Sequence, residues 1–110
     1  MYLAHYAPHA PIQAPEERIQ KCLDRYKPGF VQLQQDRFER QKKLGVAPKN
    51  AVLRNQAGSW KKLSAQQKNT WMKTMATYAA MIEIMDDGIG QLIDVLKKTG
   101  QYEDLSLIHI

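Results

Sequence analysis

The clearest pattern along the chain is an apolar repeat in its C-terminal half. Apolar residues recur there at alternating steps of four and three positions: Trp71, Met75, Tyr78, Ile82, Met85, Ile89, Leu92 and Leu96. This spacing places them in one stripe along a helix. Ser64 and Gln67 have the spacing of a capping box, in which each side chain bonds a free backbone N–H at a helix start. The pattern therefore predicts a long helix that begins after Ser64 and ends near Gly100, with a stripe of core residues.

The middle of this helix is apolar on more than one side. Further apolar residues flank the stripe: Ala76, Ala79, Ala80, Met81, Ile84 and Ile93. Gly88 and Gly90 interrupt the pattern, each at a cost of about 1 kcal/mol relative to Ala, which predicts close backbone packing or a local bend. Asp86 and Asp87 diverge by about 100° on a helix, so we expect Asp86 beside the stripe and Asp87 in solvent rather than a metal pair.

Two shorter helices are predicted upstream. A proline followed by two glutamates opens a helix over residues 15–26, because proline suits the first helical position and acidic side chains suit the N-terminal dipole. Pro28 and the glycine after it end this helix, and a second one follows over 30–44. Residues 45–63 contain glycine and proline but no sustained period, which predicts a long loop anchored by Trp60.

Both ends of the chain are short and apolar. Residues 1–6, MYLAHY, predict a buried strand that runs into a loop at Pro8. Residues 105–110, LSLIHI, also have a strand-like composition, but they match the translation of the mosaic-end sequence of a transposase-based sequencing adaptor. We expect these six residues to be read-through from library DNA and the natural chain to continue past Asp104. His109 then carries no functional information.

Composition limits the class of protein. A chain of 110 residues with 44% apolar residues forms one domain at most. The formal net charge is +5, but basic residues are interspersed with acidic ones, which favours solvated helix faces over nucleic-acid binding. The single cysteine excludes an internal disulfide and a multi-cysteine metal site. No apolar run approaches the ~18 residues of a membrane span.

His9 is the main candidate for chemistry because Pro8 and Pro11 restrict the backbone on both sides of it. Imidazole exchanges protons near neutral pH and can protonate a leaving oxygen. From the spacing alone, an ordinary rigid turn is favoured over a catalytic histidine. We expect His5 to be a core or edge residue and Cys22 to be a partly buried, inert thiol.

Three blocks in fixed order resemble bacterial arylsulfatases, in the sulfatase family of the alkaline phosphatase superfamily. They are YAPHAPIQAPEE, RYKPGFVQLQQDRFERQKKLG and MATYAAMIEIMDDGIGQLIDVLKKTGQYED, and the likeness covers nearly all of residues 2–104. The resemblance implies an α/β parent fold, with a central mixed sheet flanked by helices. Residues 1–104 would be an internal, mostly α fragment of the catalytic domain, with one N-terminal strand, two shorter helices and one long helix.

The resemblance also implies site residues. His9 matches the family's histidine that holds a sulfate oxygen and protonates the departing alcohol. The family's nucleophile is a formylglycine made from the cysteine of a C-x-P-S-R or C-x-A-x-R motif, and Cys22 fits neither motif. The calcium ligands and the remaining sulfate-binding side chains would lie outside this chain, so no metal ligand is expected within it.

The implied activity is hydrolysis of small-molecule or glycan sulfate esters, with periplasmic or secreted localisation expected from the family. The isolated fragment is expected to be inactive and poorly soluble or molten. A phosphodiester or phosphonate ester hydrolase of the same superfamily is the closer alternative. A small basic helical module that binds nucleic acid or a partner helix is the alternative of a different class, and strongly salt-dependent binding would support it.

Overall fold

A computed structural model describes residues 3–54 and 57–105. Within these residues the chain forms four α-helices and one 3-10 turn. The helices are α1 (Glu16–Leu23), which continues into the 3-10 turn Asp24–Tyr26, α2 (Phe30–Lys43), α3 (Ala57–Lys61) and α4 (Ala65–Lys98).

Local sequence signals explain most of the helix ends. Ser64 Oγ accepts a hydrogen bond from the Gln67 backbone N–H at 3.2 Å, and Gln67 Oε1 accepts one from the Ser64 N–H at 2.8 Å. The capping box predicted for the long helix is therefore confirmed. Gly45, with φ of +72°, follows the end of α2. The loop predicted over 45–63 is wrong in part, because α3 lies within it.

The core forms where α1 packs on the middle of α4. Ile19 and Cys22 of α1 are buried, with exposures of 6% and 1%. They form one cluster with three alanines of α4, which are Ala76, Ala79 and Ala80. Alanine side chains are short, so the backbone of α1 can approach α4 closely and exclude water from the Cys22 thiol.

The predicted stripe of α4 is not the face that α1 covers. Trp71 and Ile82 of that stripe are 51% and 38% exposed. The buried face consists of residues 76, 77 and 79–81, which flank the stripe. Close backbone packing or a local bend was expected at Gly88 and Gly90. An added Cβ at either would meet no atom within 4 Å, so the close packing is absent from the described residues.

Ion pairs at the rim of the core tie α1 and the turn after it to α4. Arg18 pairs with Asp87, and Glu16 pairs with Lys73 at 3.3 Å. Asp87 is exposed, as expected, and its carboxylate still contacts α1 because the long Arg18 side chain reaches across the helix crossing. Exposed pairs of this kind add little to stability, because solvent screens them. They orient α1 more than they stabilise it.

The predicted N-terminal strand does not form in residues 3–6, which are irregular and exposed; residues 1 and 2 lie outside the described chain. A strand needs a neighbour to pair its backbone N–H and C=O groups, and no second strand is present among the described residues. Residues 4–7 instead run beside α4, where they line a groove with Met81, Ile84 and Met85. The rest of the predicted 105–110 segment, 106–110, lies outside the described residues.

The helices do not enclose one common core. The Cα radius of gyration is 18.3 Å, whereas a compact domain of this length would have about 13 Å. The apolar stripe of α4 is accordingly left largely uncovered within the described chain.

Candidate active-site loop

The loop that carries His9 joins the extended N-terminal segment to α1. Its peptide bonds before Pro8 and Pro11 are cis. The side chain of His9 is exposed, so it is accessible to a ligand. Pro15 precedes α1, and the packing of Ile19 and Cys22 on α4 anchors the end of the loop.

One nitrogen of the His9 ring is already engaged. Nδ1 lies 2.8 Å from the backbone oxygen of Ala10. A carbonyl oxygen can only accept a hydrogen bond, so this contact requires a proton on Nδ1. Nε2 is then the nitrogen that can interact with a ligand. It donates a hydrogen bond in the imidazolium form and accepts a proton in the neutral form.

Tyr6 holds the same loop and was not recognised as a site residue from the sequence. Its hydroxyl donates to the Ala10 oxygen at 2.9 Å, and its backbone oxygen accepts from the His9 N–H at 3.0 Å. The centroids of the Tyr6 and His9 rings are 5.2 Å apart. Both acceptor positions of the Ala10 oxygen are thereby used. An aromatic residue three positions before a proline-flanked histidine was the available signal.

His5 does not join this arrangement. It was expected in a core or at a strand edge, but it is exposed and lies in the groove between residues 4–7 and α4. The reason is the missing strand, since a core histidine at this position needs a sheet around it.

Cys22 lies in the α1–α4 core, away from the surface. Burial raises the pKa of its thiol, and the neighbouring carboxylate of Glu83 raises this pKa further. A catalytic thiol needs the opposite setting, with a lowered pKa and access to substrate. The prediction of an inert cysteine agrees with this environment, although the side chain is almost completely buried rather than partly so.

Acidic and histidine side chains do not converge on a cation site in residues 3–54 and 57–105. No group of three or more His, Cys, Asp or Glu side chains is placed there to hold a metal ion. Asp87 is engaged by Arg18, and Asp86 is exposed. The described residues therefore do not fit a calcium site by themselves.

Comparison with known proteins identifies the family. The family model described as Sulfatase matches residues 1–110. The chain belongs to the sulfatase family. This sulfatase chain is 39% identical over 111 residues to an uncharacterised sulfatase of Schizosaccharomyces pombe, covering 97% of the chain and 20% of that relative. It is 35% identical over 111 residues to an arylsulfatase of Klebsiella aerogenes, covering 99% of the chain and 24% of that relative.

Family membership places the helices in a larger architecture. The sulfatase family implies an alkaline-phosphatase-like fold, and the chain spans 20% and 24% of the lengths of the two relatives. The described part of this sulfatase chain is mostly helical. None of its described helices has the length and apolarity that a bilayer crossing requires.

Proposed function

We propose that this chain supplies the histidine-bearing part of the active site of an enzyme that hydrolyses sulfate esters. The family match over residues 1–110 carries the proposal. The relative from Klebsiella aerogenes, named arylsulfatase, supports it. The exposed His9 ring supports it as well, because one nitrogen is held by the backbone and the other is left for a ligand.

His9 acts in this proposal through Nε2. In its imidazolium form, Nε2–H donates to an oxygen of the bound sulfate ester. When the S–O bond to the alcohol breaks, negative charge develops on the departing oxygen, and transfer of the Nε2 proton neutralises it. The contact of Nδ1 with Ala10 fixes the ring position, so little rotational entropy is lost when the ester binds.

The nucleophile and the metal belong to other segments in this proposal. A formylglycine would attack sulfur, and calcium would supply charge stabilisation at the sulfate oxygens when bound. Cys22 is buried and lacks the motif that precedes formylglycine formation. Since the described residues do not fit a calcium site, no step is assigned to the ion here. The 110-residue chain alone is then inactive.

The extent of the natural protein is part of the same proposal. We infer that residues 1–104 belong to a longer catalytic domain and that 105–110 are adaptor read-through. The partial coverage of both relatives supports the first inference. Sequencing the source DNA with reads prepared without transposase adaptors tests both. A stop codon directly after Ile110 and a genuine start codon at Met1 would contradict them.

The activity is tested with His9→Ala in the full-length protein. We expect kcat/KM for aryl sulfates to fall by about 10²–10⁴-fold, as for loss of a general acid. The loss should be larger for phenyl sulfate than for 4-nitrophenyl sulfate, because a poorer leaving group depends more on protonation. His5→Ala is the matched control, since His5 is an exposed histidine of the same segment outside the Tyr6–His9–Ala10 arrangement.

Three results would contradict the proposal in whole or in part. Equal losses in His9→Ala and His5→Ala would remove His9 from the active site. Hydrolysis of bis(4-nitrophenyl) phosphate without hydrolysis of aryl sulfates would instead favour the phosphodiesterase alternative. Equal losses for both aryl sulfates would limit His9 to sulfate binding.

A further inference from the structure

An aromatic groove lies between α2, α3 and the start of α4. It is separate from the His9 loop, since no residue of 3–12 lines it. Its volume is about 600 Å³, which is within the ~300–1,000 Å³ of typical small-molecule sites. The apolar side chains that form its walls include Tyr26, Phe30, Trp60, Leu63, Trp71 and Met75. We refer to it as the aromatic groove.

Packing holds the walls of the aromatic groove in place. The rings of Phe30 and Trp60 lie with centroids 4.6 Å apart, and Tyr26 meets Phe30 edge to face at 6.5 Å. Gly29 lets the Trp60 indole lie directly on the backbone, since a Cβ there would be 3.1 Å from Nε1. Trp71 faces them from α4 and remains 51% exposed. A planar ring could therefore contact several aromatic faces at once.

The polar side chains of the aromatic groove define the charge of a ligand. Arg37 and Gln34 line it alongside the aromatic residues. The guanidinium of Arg37 forms no ion pair with any described residue; the four ion pairs of the described chain all involve other side chains. The last turn of α2 adds three more basic residues nearby in sequence: Arg40, Lys42 and Lys43. No acidic side chain of the described residues lines the groove.

We propose that the aromatic groove binds aromatic anions, with the ring between Trp60 and Trp71 and the anionic group, a sulfonate, sulfate or carboxylate, on Arg37. Arginine suits this role because its planar fork matches the oxygens of such groups. Arg37 is exposed, so its guanidinium is accessible to the anionic group of a ligand. The proposal does not depend on sulfatase activity, because its residues are separate from the His9 loop.

The test uses 4-fluorobenzenesulfonate as the probe, since its C–S bond is not a sulfate ester and is not hydrolysed. Binding to the full-length protein is followed by fluorine NMR, with neutral 4-fluorobenzyl alcohol as the uncharged comparison. We expect Arg37→Gln to weaken sulfonate binding by about tenfold, as for loss of one charged hydrogen-bond partner, and to leave alcohol binding unchanged. Arg40→Gln, one turn along α2 and outside the groove lining, is the matched control.

Two further variants locate the site. Trp71→Ala should weaken the sulfonate and the alcohol alike, by about tenfold, because it removes one aromatic wall. His9→Ala should weaken only binding at the His9 loop, so Arg37→Gln should still weaken sulfonate binding by about tenfold in the His9→Ala protein. Absence of probe binding, equal effects of Arg37→Gln and Arg40→Gln, or no effect of Arg37→Gln in the His9→Ala protein would each overturn the proposal. Circular dichroism of each variant tests whether the fold is retained. If the protein failed to hydrolyse aryl sulfates, the proposed function would fall but the proposed ligand site in the aromatic groove would not.

Discussion

Replacing Gly29 with alanine is the sharpest test of the packing between α2 and α3. Gly29 immediately precedes α2, with φ of +86° and ψ of 161°. This region of backbone conformation is essentially restricted to glycine and costs about 1–3 kcal/mol for other residues. The alanine Cβ would also lie 3.1 Å from Nε1 and 3.4 Å from Cε2 of Trp60. Trp60 would have to shift away from the backbone and against Phe30.

These two effects give an expected destabilisation of about 2–4 kcal/mol for Gly29→Ala, from the backbone strain together with imperfect packing of the indole. Gly45→Ala provides the reference. Gly45 has φ of +72°, and a Cβ added there would meet no atom within 4 Å. Only the left-handed backbone cost of about 1–2 kcal/mol applies there, offset by about 0.4–1 kcal/mol of lost freedom in the unfolded chain.

The assay is urea unfolding of the full-length protein and its two variants, followed by tryptophan fluorescence. We expect Gly29→Ala to lose at least about 1 kcal/mol more than Gly45→Ala, which is about a fivefold difference in the unfolding equilibrium. The fluorescence of the folded Gly29→Ala protein should also change, because Trp60 moves. Equal losses in the two variants, with unchanged fluorescence, would refute the close approach of Trp60 to Gly29.

Three further predictions concern the reactivity of Cys22 and the pH dependence of stability. Cys22 should not react with a thiol reagent in the folded protein and should react once urea unfolds it. The reason is that burial shields the thiol and raises its pKa. Rapid modification of the native protein would contradict the burial of Cys22 between α1 and α4. Because the unfolded thiol ionises first, Cys22 also makes stability fall as pH rises above the ordinary thiol pKa, and Cys22→Ala should reduce that fall. The pKa of Glu16 is lowered mainly by the hydrogen bond from Gln20 and secondly by that from Lys73. The ionised Glu16 therefore stabilises the fold above the ordinary glutamate pKa, and this stabilisation is lost on acidification. Glu16→Gln should therefore lose less stability than the parent protein as pH falls through that range. The measurement is the urea midpoint of each protein at each pH. The same pH dependence in both proteins would count against the Glu16–Lys73 contact.

The sequence by itself determined the features that depend on neighbours along the chain. Ser64 and Gln67 set the start of α4 because the capping box involves groups only three residues apart. The break at Pro28 and Gly29 separated the first two helices, since proline and glycine act through their own backbone angles. The proline-flanked His9 and the three blocks of family resemblance were also visible without coordinates, and the family is now shown.

The tertiary structure decided which surfaces meet. α4 is apolar on more than one side, so periodicity could not distinguish the alanine face at Ala76 and Ala80 from the stripe at Trp71 and Ile82. α1 packs on the alanine face of α4 because the short side chains there allow the two helices to approach closely. The strand predicted at the N-terminus is absent from residues 3–6 because a strand also depends on tertiary contacts. A helix satisfies its backbone hydrogen bonds within its own segment, whereas a strand depends on a partner elsewhere in the chain.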